Sequence, residues 1–423
     1  MSLLRISHYT LSSALGRGRA VHWQALQTSS TGLRKISFDT NHIDCYLGEV
    51  SGLDTALAVE LKQFDCRNHR LAWLALQQDG FSAAAAKLRE KYGAARVGVF
   101  IGTSTAGIHS AELAYREWQV SRATSEQAHA PRPLPNPPPQ AREGIEDRTA
   151  SLPDWFDYRH TQNLFSVAEF VAQALQLSGP TLAISTACSS SAKVFAAAYR
   201  SLQLGLCDAA IVGGVDSLCL TTLYGFNSLQ LISAEPCRPA DVARKGISIG
   251  EAAGFAILEK PQYVGSDVLP YALLGYGESG DAHHMSSPDP QGRGAAAAMQ
   301  AALTRAALTA DAVDYINLHG TGTVANDAAE DQGVSALFGH ATPCSSTKGW
   351  TGHTLGAAGI VEAGIALLCI EHDFMPMSLN TQHKDPGLQA NILLQSRQAR
   401  VQRVMSNSFG FGGSNCALLF GVA

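Results

Sequence analysis

Charge is scarce in this sequence and long apolar runs are missing, and each shortage removes a class of function. Only 16% of the 423 residues are Asp, Glu, Lys or Arg, and the net charge is −5. That leaves no basic footprint for nucleic acid. No stretch approaches 18 uninterrupted apolar residues, so no membrane span is expected. The best candidate, residues 360–370, is short, carries Glu362 and reads as a buried core helix. Residues 1–19 hold neither a sustained apolar stretch nor a cleavage site, so no secretion signal is expected. The nine cysteines form no Cys-x-x-Cys pair and no zinc-finger spacing. Scattered singly, they fit reduced thiols in a cytosol, and a cytoplasmic location follows as an expectation.

Small residues are plentiful instead: 39 glycines, and alanine runs at 83–86 and 295–298. Such a chain packs its interior closely, and 423 residues suffice for a large core or two fused ones. Short apolar runs at 96–101, 209–212, 315–318 and 417–420 have the length and β-branched content of buried strands. Helical patterns lie before and between them, at 68–76, 162–177, 190–204, 294–307 and 356–370. The alternation argues for an α/β fold with a largely buried sheet. Residues 186–191, which follow a strand-like run at 182–185, and residues 342–347 both read Thr-x-Cys-Ser-Ser and lead on toward a helix, which hints at an internal duplication. Residues 120–152 are different. Their Pro-rich centre, 129–140, can be neither helix nor central strand, and the segment reads as an exposed inserted loop.

Four segments carry chemistry. In Ile184-Ser-Thr-Ala-Cys-Ser-Ser-Ser-Ala-Lys193 an apolar strand reaches a turn of small residues and an Ala-rich helix follows. Cys188 then sits at a helix N-terminus, where unpaired N–H groups favour a thiolate. A buried structural cysteine is the common alternative. His319, in Asn317-Leu-His-Gly-Thr-Gly-Thr323, ends a strand-like run, where α/β proteins keep catalytic groups, although core histidines occur there too. Asn326, Asp327 and Glu330 follow at the next helix start. Lys348 and His353 lie on a small-residue loop before an apolar helix, and Glu362 inside that helix needs a partner, either Lys348 or a histidine, unless both charges are at the surface. Finally, Asn407-Ser-Phe-Gly-Phe-Gly-Gly-Ser-Asn415 places Gly410, Gly412 and Gly413 around Phe411. Glycines there let the backbone approach a ligand closely.

In this order and spacing the four segments resemble the elongating β-ketoacyl-[acyl-carrier-protein] synthases, over most of the chain from about Ala14 onward. The resemblance implies a thiolase-like fold: two duplicated βαβαβαββ halves, residues 1–260 and 261–423, in a five-layered α-β-α-β-α core. It implies that Cys188 takes the acyl chain and that His319 and His353 bind the malonyl thioester. Lys348 and Glu362 would support the histidines, and the N–H groups of Cys188 and Phe411 would form the oxyanion hole, with Phe411 also gating. Cys344 would belong to the non-catalytic copy. The implied partners are acyl carrier protein bearing acyl and malonyl thioesters and a second subunit, identical or paralogous. No cofactor or metal is implied. Two histidines point to the elongating class, away from the acetyl-CoA-priming one. Departures at Ile6-Ser-His-Tyr9 and Arg238-Pro-Ala-Asp241 leave the substrate open between fatty acid synthesis and a polyketide or aryl polyene pathway.

Three rival readings are weaker. Gly275-Tyr-Gly-Glu-Ser-Gly280 satisfies the dinucleotide pattern, but a loop and not a helix is expected after it. A degradative thiolase would need a second catalytic cysteine near the glycine loop, where Cys416 comes close. A chain-length-factor-like partner subunit would share the fold without the nucleophile, and this chain keeps Cys188.

Overall fold

The computed structural model describes residues 1–128, 151–261 and 270–422. One run of strands follows the order Thr181–Ile184, Val97–Gly102, Ala209–Asp216, Ala252–Glu259, Leu4–Ser13. The first three are parallel and the last two antiparallel to their neighbours. A second run, Pro343–Ser345, Tyr315–Asn317, Arg403–Gly410, Ser414–Val422, Tyr271–Gly280, repeats that order and those directions. Asn391–Ile392 is added at its edge. The runs join where Leu4 and Arg5 pair with Leu273 and Ala272, giving one continuous ladder. Cys188 follows the edge strand of the first copy, and Cys344 lies in the corresponding strand of the second.

Alternation along the strands explains the layers. Val97, Val99 and Ile101 pack under the outer helices Arg67–Leu76, Phe81–Tyr92 and Ser166–Ala174, whereas Phe100 faces the centre. Arg293–Ala306 and Val324–Phe338 cover the other outer face, on Ile316, Met405 and Leu419. Between the sheets lie Ser190–Gln203 and Ala358–Glu371, one helix from each copy. Every residue from Ala358 to Ile370 is buried, as expected of a helix apolar all round. The two helices touch closely: a Cβ on Gly359 would stand 2.5 Å from the Ala192 nitrogen. Ile360 N–H also donates to Ser191 Oγ at 3.0 Å. The result is the five-layered α-β-α-β-α, thiolase-like core.

One expectation needs correction. Residues 120–128 are not loop but continue the helix Ile108–Ala128, since Pro begins only at 131. The Pro-rich centre of that insertion lies outside the described residues. Gly275–Gly280 belongs to the strand Tyr271–Gly280, and the next helix opens only at Arg293, so no phosphate-binding turn forms there. The departure at Ile6-Ser-His-Tyr9 still makes an ordinary strand, with a register shift between Ile6 and His8. Among the described residues no helix is long and apolar enough to cross a membrane.

Candidate active site

Local chemistry fixes Cys188. After the strand Thr181–Ile184 the chain turns through Ala187, at φ 52°, into the helix Ser190–Gln203. The serines that follow hold this turn. Ser189 Oγ donates to Thr186 O at 2.9 Å, and Ser190 Oγ donates to Ala187 O at 2.5 Å while accepting from Thr186 N–H at 2.9 Å. Ser191 anchors the turn to the second copy through Ile360 N–H.

His353 arrives from the second copy but is sewn to the first. Its N–H donates to Ser248 O at 2.7 Å, and its carbonyl accepts from Gly250 N–H at 3.0 Å. Nε2 then lies 3.0 Å from Cys188 Sγ. Nδ1 has no hydrogen-bond partner among the described residues. His319, just past the strand Tyr315–Asn317, is held from behind by Glu330, whose carboxylate accepts the N–H groups of His319 at 2.8 Å and Gly320 at 2.7 Å. The two imidazoles meet edge to face, centroids 5.3 Å apart. The sulfur and one nitrogen from each ring all lie within 4.8 Å of one another.

Behind the rings sits a buried ion pair. Lys348 Nζ donates to Glu362 Oε1 at 2.5 Å, and both residues are at most 3% exposed. This settles the partner of Glu362. Nζ is also 3.4 Å from His319 Nδ1. An ammonium can only donate, so Nδ1 accepts and the proton of neutral His319 resides on Nε2. The thiol and two imidazoles are a donor set zinc could use. The ammonium on Nδ1, however, keeps the other His319 nitrogen protonated and opposes ligation.

Burial dominates the electrostatics. It lowers His319 and His353 well below the ordinary histidine value, aided by repulsion from Lys348, so both rings are neutral at pH 7. It raises Glu362, despite Lys348, and Glu330 each to about 7. It also pushes Cys188 up to about 12, against the charge of Lys348 and the Phe411 N–H. The expectation of a resting thiolate is therefore corrected. The helix N-terminus does not outweigh desolvation, and the sulfur rests as a thiol beside a neutral imidazole.

The three side chains face a cavity of about 120 Å³ that also touches Phe226, Ile247 and Phe411. Gly410 passes so close to the nucleophile turn that a Cβ would lie 2.8 Å from Thr186 O. Gly412 and Gly413, at φ 79° and 70°, turn the chain so that the Phe411 N–H points at the sulfur. The Phe411 ring meets Phe226 at 5.6 Å. Lys348 and Glu362 do not line the cavity. Nor do Cys344 and Cys416, both fully buried in strands. Sequence reasoning missed Phe226, which no motif marks, and gave Glu330 no role although it stands on the helix after His319. Residues 281–288, expected only as the loop after Gly280, also reach the site. Asp281 lines the cavity, and Met285 O accepts the Gly412 N–H at 2.7 Å.

Comparison with known proteins agrees with this geometry. Residues 143–262 match the β-ketoacyl synthase N-terminal domain and residues 271–382 the C-terminal domain. A 3-oxoacyl-[acyl-carrier-protein] synthase 2 of Vibrio cholerae is 31% identical over 437 aligned residues, covering 96% of each chain. A mitochondrial 3-oxoacyl-[acyl-carrier-protein] synthase of Arabidopsis thaliana is 41% identical over 261 residues, 57% of this chain and 56% of that one. Among solved structures, a chain of the ketosynthase ApeO–chain length factor ApeC complex from Xenorhabdus doucetiae superposes with a TM-score of 0.84. It is 36% identical, and the match covers 100% of this chain and 98% of that one. This chain belongs to the β-ketoacyl synthase family, the acyltransferases that build fatty acid and polyketide chains by condensation.

Proposed function

We propose that Cys188 is the acyl-carrying nucleophile and that His319 and His353 drive decarboxylation of the malonyl thioester. The 3.0 Å contact between Cys188 Sγ and His353 Nε2, at the floor of a cavity shared with His319, carries this reading. As the sulfur attacks an acyl thioester, the thiol proton passes to His353 Nε2 and from there to the departing carrier thiolate. The Cys188 and Phe411 N–H groups hold the tetrahedral oxyanion. His353, with no partner on Nδ1, is able to change tautomer. It then presents an N–H beside that of His319 to the malonyl carbonyl oxygen. The carboxylate C–C bond breaks, carbon dioxide leaves, and the electron pair enters the enolate that the two donors stabilise. The carbanion attacks the acyl carbonyl, the C–S bond breaks with its electron pair on sulfur, and the Cys188 thiolate takes a proton from water. Lys348 and Glu362 support His319, and Phe411, hinged on Gly410, Gly412 and Gly413, gates the chain.

The two halves, residues 1–260 and 261–423, each supply part of this site. The carrier is an acyl carrier protein, the location cytoplasmic, and the pathway a specialised one of polyketide or aryl polyene type. The partner subunit is a second copy or a ketosynthase paralogue. The sheet edge at Thr181–Ile184, with Leu182 exposed and Leu164 and Phe165 also exposed, supports such a partner. So does the similarity over the whole chain to a ketosynthase–chain length factor complex. The intact Cys188–His353 contact speaks against this chain being the chain-length-factor subunit. A panel of acyl carrier thioesters of varied length and unsaturation, assayed with malonyl carrier protein with and without a co-expressed paralogue, tests the proposal. Condensation of polyunsaturated acyl groups supports the specialised pathway. Preferred extension of saturated chains would refute it.

A further inference from the structure

Asp216 ends the strand Ala209–Asp216 and is fully buried. It lies outside every motif of the family resemblance. Its carboxylate accepts six hydrogen bonds. Thr103 Oγ1 at 2.8 Å, Ser104 N–H at 2.8 Å, and Thr105 N–H and Oγ1 at 2.9 Å each converge on Oδ1. Ser104 Oγ and, at 2.6 Å, Gly356 N–H donate to Oδ2. Gly356 N–H also reaches Ser104 Oγ at 3.3 Å, so hydroxyl and carboxylate share that donor. A Cβ at Gly356 would stand 2.8 Å from the carboxylate, which leaves room there only for glycine.

Gly356 follows His353 by three residues and belongs to the second copy, whereas Thr103–Thr105 and Asp216 belong to the first, as does Cys188. Backbone pairing at Ser248–Gly250 holds His353 on one side, and the Asp216–Gly356 bond holds the chain just beyond it. A buried carboxylate with six donors is a stiff joint, since removing it would strand several N–H and O–H groups. We propose that Asp216 is a positioning residue of the condensing site, fixing His353 against Cys188 by tying the Thr103–Thr105 loop of one half to Gly356 of the other. This rests on the roles proposed for Cys188 and His353. The negative charge of Asp216 also acts on the Cys188 thiol and raises it, in the same sense as Glu362 and against Lys348.

The test is Asp216→Asn in the full chain, with folded fraction and melting temperature measured alongside. Misplacing His353 should lower kcat roughly 10- to 100-fold with little change in KM for the malonyl thioester. Losing the charge should lower the pH at which iodoacetamide half-alkylates Cys188, a readout that a purely structural role would not move. A folded variant with wild-type kcat, or with an unmoved alkylation midpoint, overturns the proposal. If Asp216→Asn does not fold, Ser104→Ala decides. It removes the hydroxyl shared by Oδ2 and Gly356 N–H and should lower kcat about threefold at constant KM, and an unchanged kcat overturns the proposal. Cys188→Ala is run in parallel. Condensation by that variant would refute the nucleophile assignment itself, a failure distinct from that of Asp216.

Discussion

Replacing Lys348 with Met should separate what the buried ion pair does for catalysis from what it does for stability. The ammonium bonds Glu362 Oε1 at 2.5 Å and stands 3.4 Å from His319 Nδ1. Its loss strands a carboxylate already raised to about 7 by burial and unpins the His319 tautomer. Removing one partner of a buried pair costs about 3–5 kcal/mol of stability. Glu362→Gln, which strands Lys348, should cost a similar amount. The double variant Lys348→Met/Glu362→Gln leaves neither charge alone and should recover most of that loss, because a well-packed neutral replacement is near neutral in energy. Catalysis should not recover. Without the ammonium, His319 no longer presents Nε2–H reliably, and losing one oxyanion donor costs roughly 10²- to 10³-fold in kcat. The assays are urea denaturation and release of carbon dioxide from malonyl carrier protein, with Cys188 alkylation as the check that the pocket survives. A double variant that stays as unstable as the singles would refute the ion-pair reasoning. One that regains decarboxylation would refute the role given to Lys348.

Other outcomes follow from the same geometry. Cys344→Ser should leave turnover unchanged, since that sulfur donates to Thr342 O in a strand away from the cavity, and a loss of activity in a folded variant would contradict its place in the silent copy. Gly359→Ala, which in an open helix would stabilise by about 1 kcal/mol, should instead cost about 1–3 kcal/mol because the new methyl meets Ala192 backbone, and thermal melts will show the sign. His22 and His69 are buried neutral, with values lowered to about 4 from 6.5. The unfolded chain binds more protons between those values, so their contribution is whole above pH 6.5. It is lost as pH falls toward 4, by up to about 3 kcal/mol each. Glu330 and Glu362, raised to about 7, take up protons over the same range and act in the opposite sense, so the check compares wild type with His69→Gln: an identical change in urea midpoint from pH 7 to pH 5 in both proteins would refute this.

Much of the site was legible because its residues sit where the chain changes state. Cys188 lies between a strand and a helix, His319 at a strand end, and Phe411 among glycines that need positive φ. Glu362 was legible as a charge in an apolar helix, and its partner proved to be Lys348. What was hidden depended on burial and on contacts between distant segments. The thiol's raised value reflects enclosure that local sequence does not show. Phe226 reaches the cavity from a helix without a motif. Asp216 and Gly356, 140 residues apart, meet only because the two copies pack face to face. The helix past residue 120 is hidden by the prolines that begin at 131, which give the whole segment the composition of a loop.

The most direct test of the central claim is the intact mass of the enzyme after mixing with an acyl carrier thioester, followed by malonyl carrier protein. The mechanism predicts one acyl adduct, mapped to the peptide bearing Cys188. Adding the malonyl thioester should discharge it as a chain two carbons longer, with release of carbon dioxide. An adduct on another residue, or one on Cys188 that malonyl carrier protein never discharges, would contradict it.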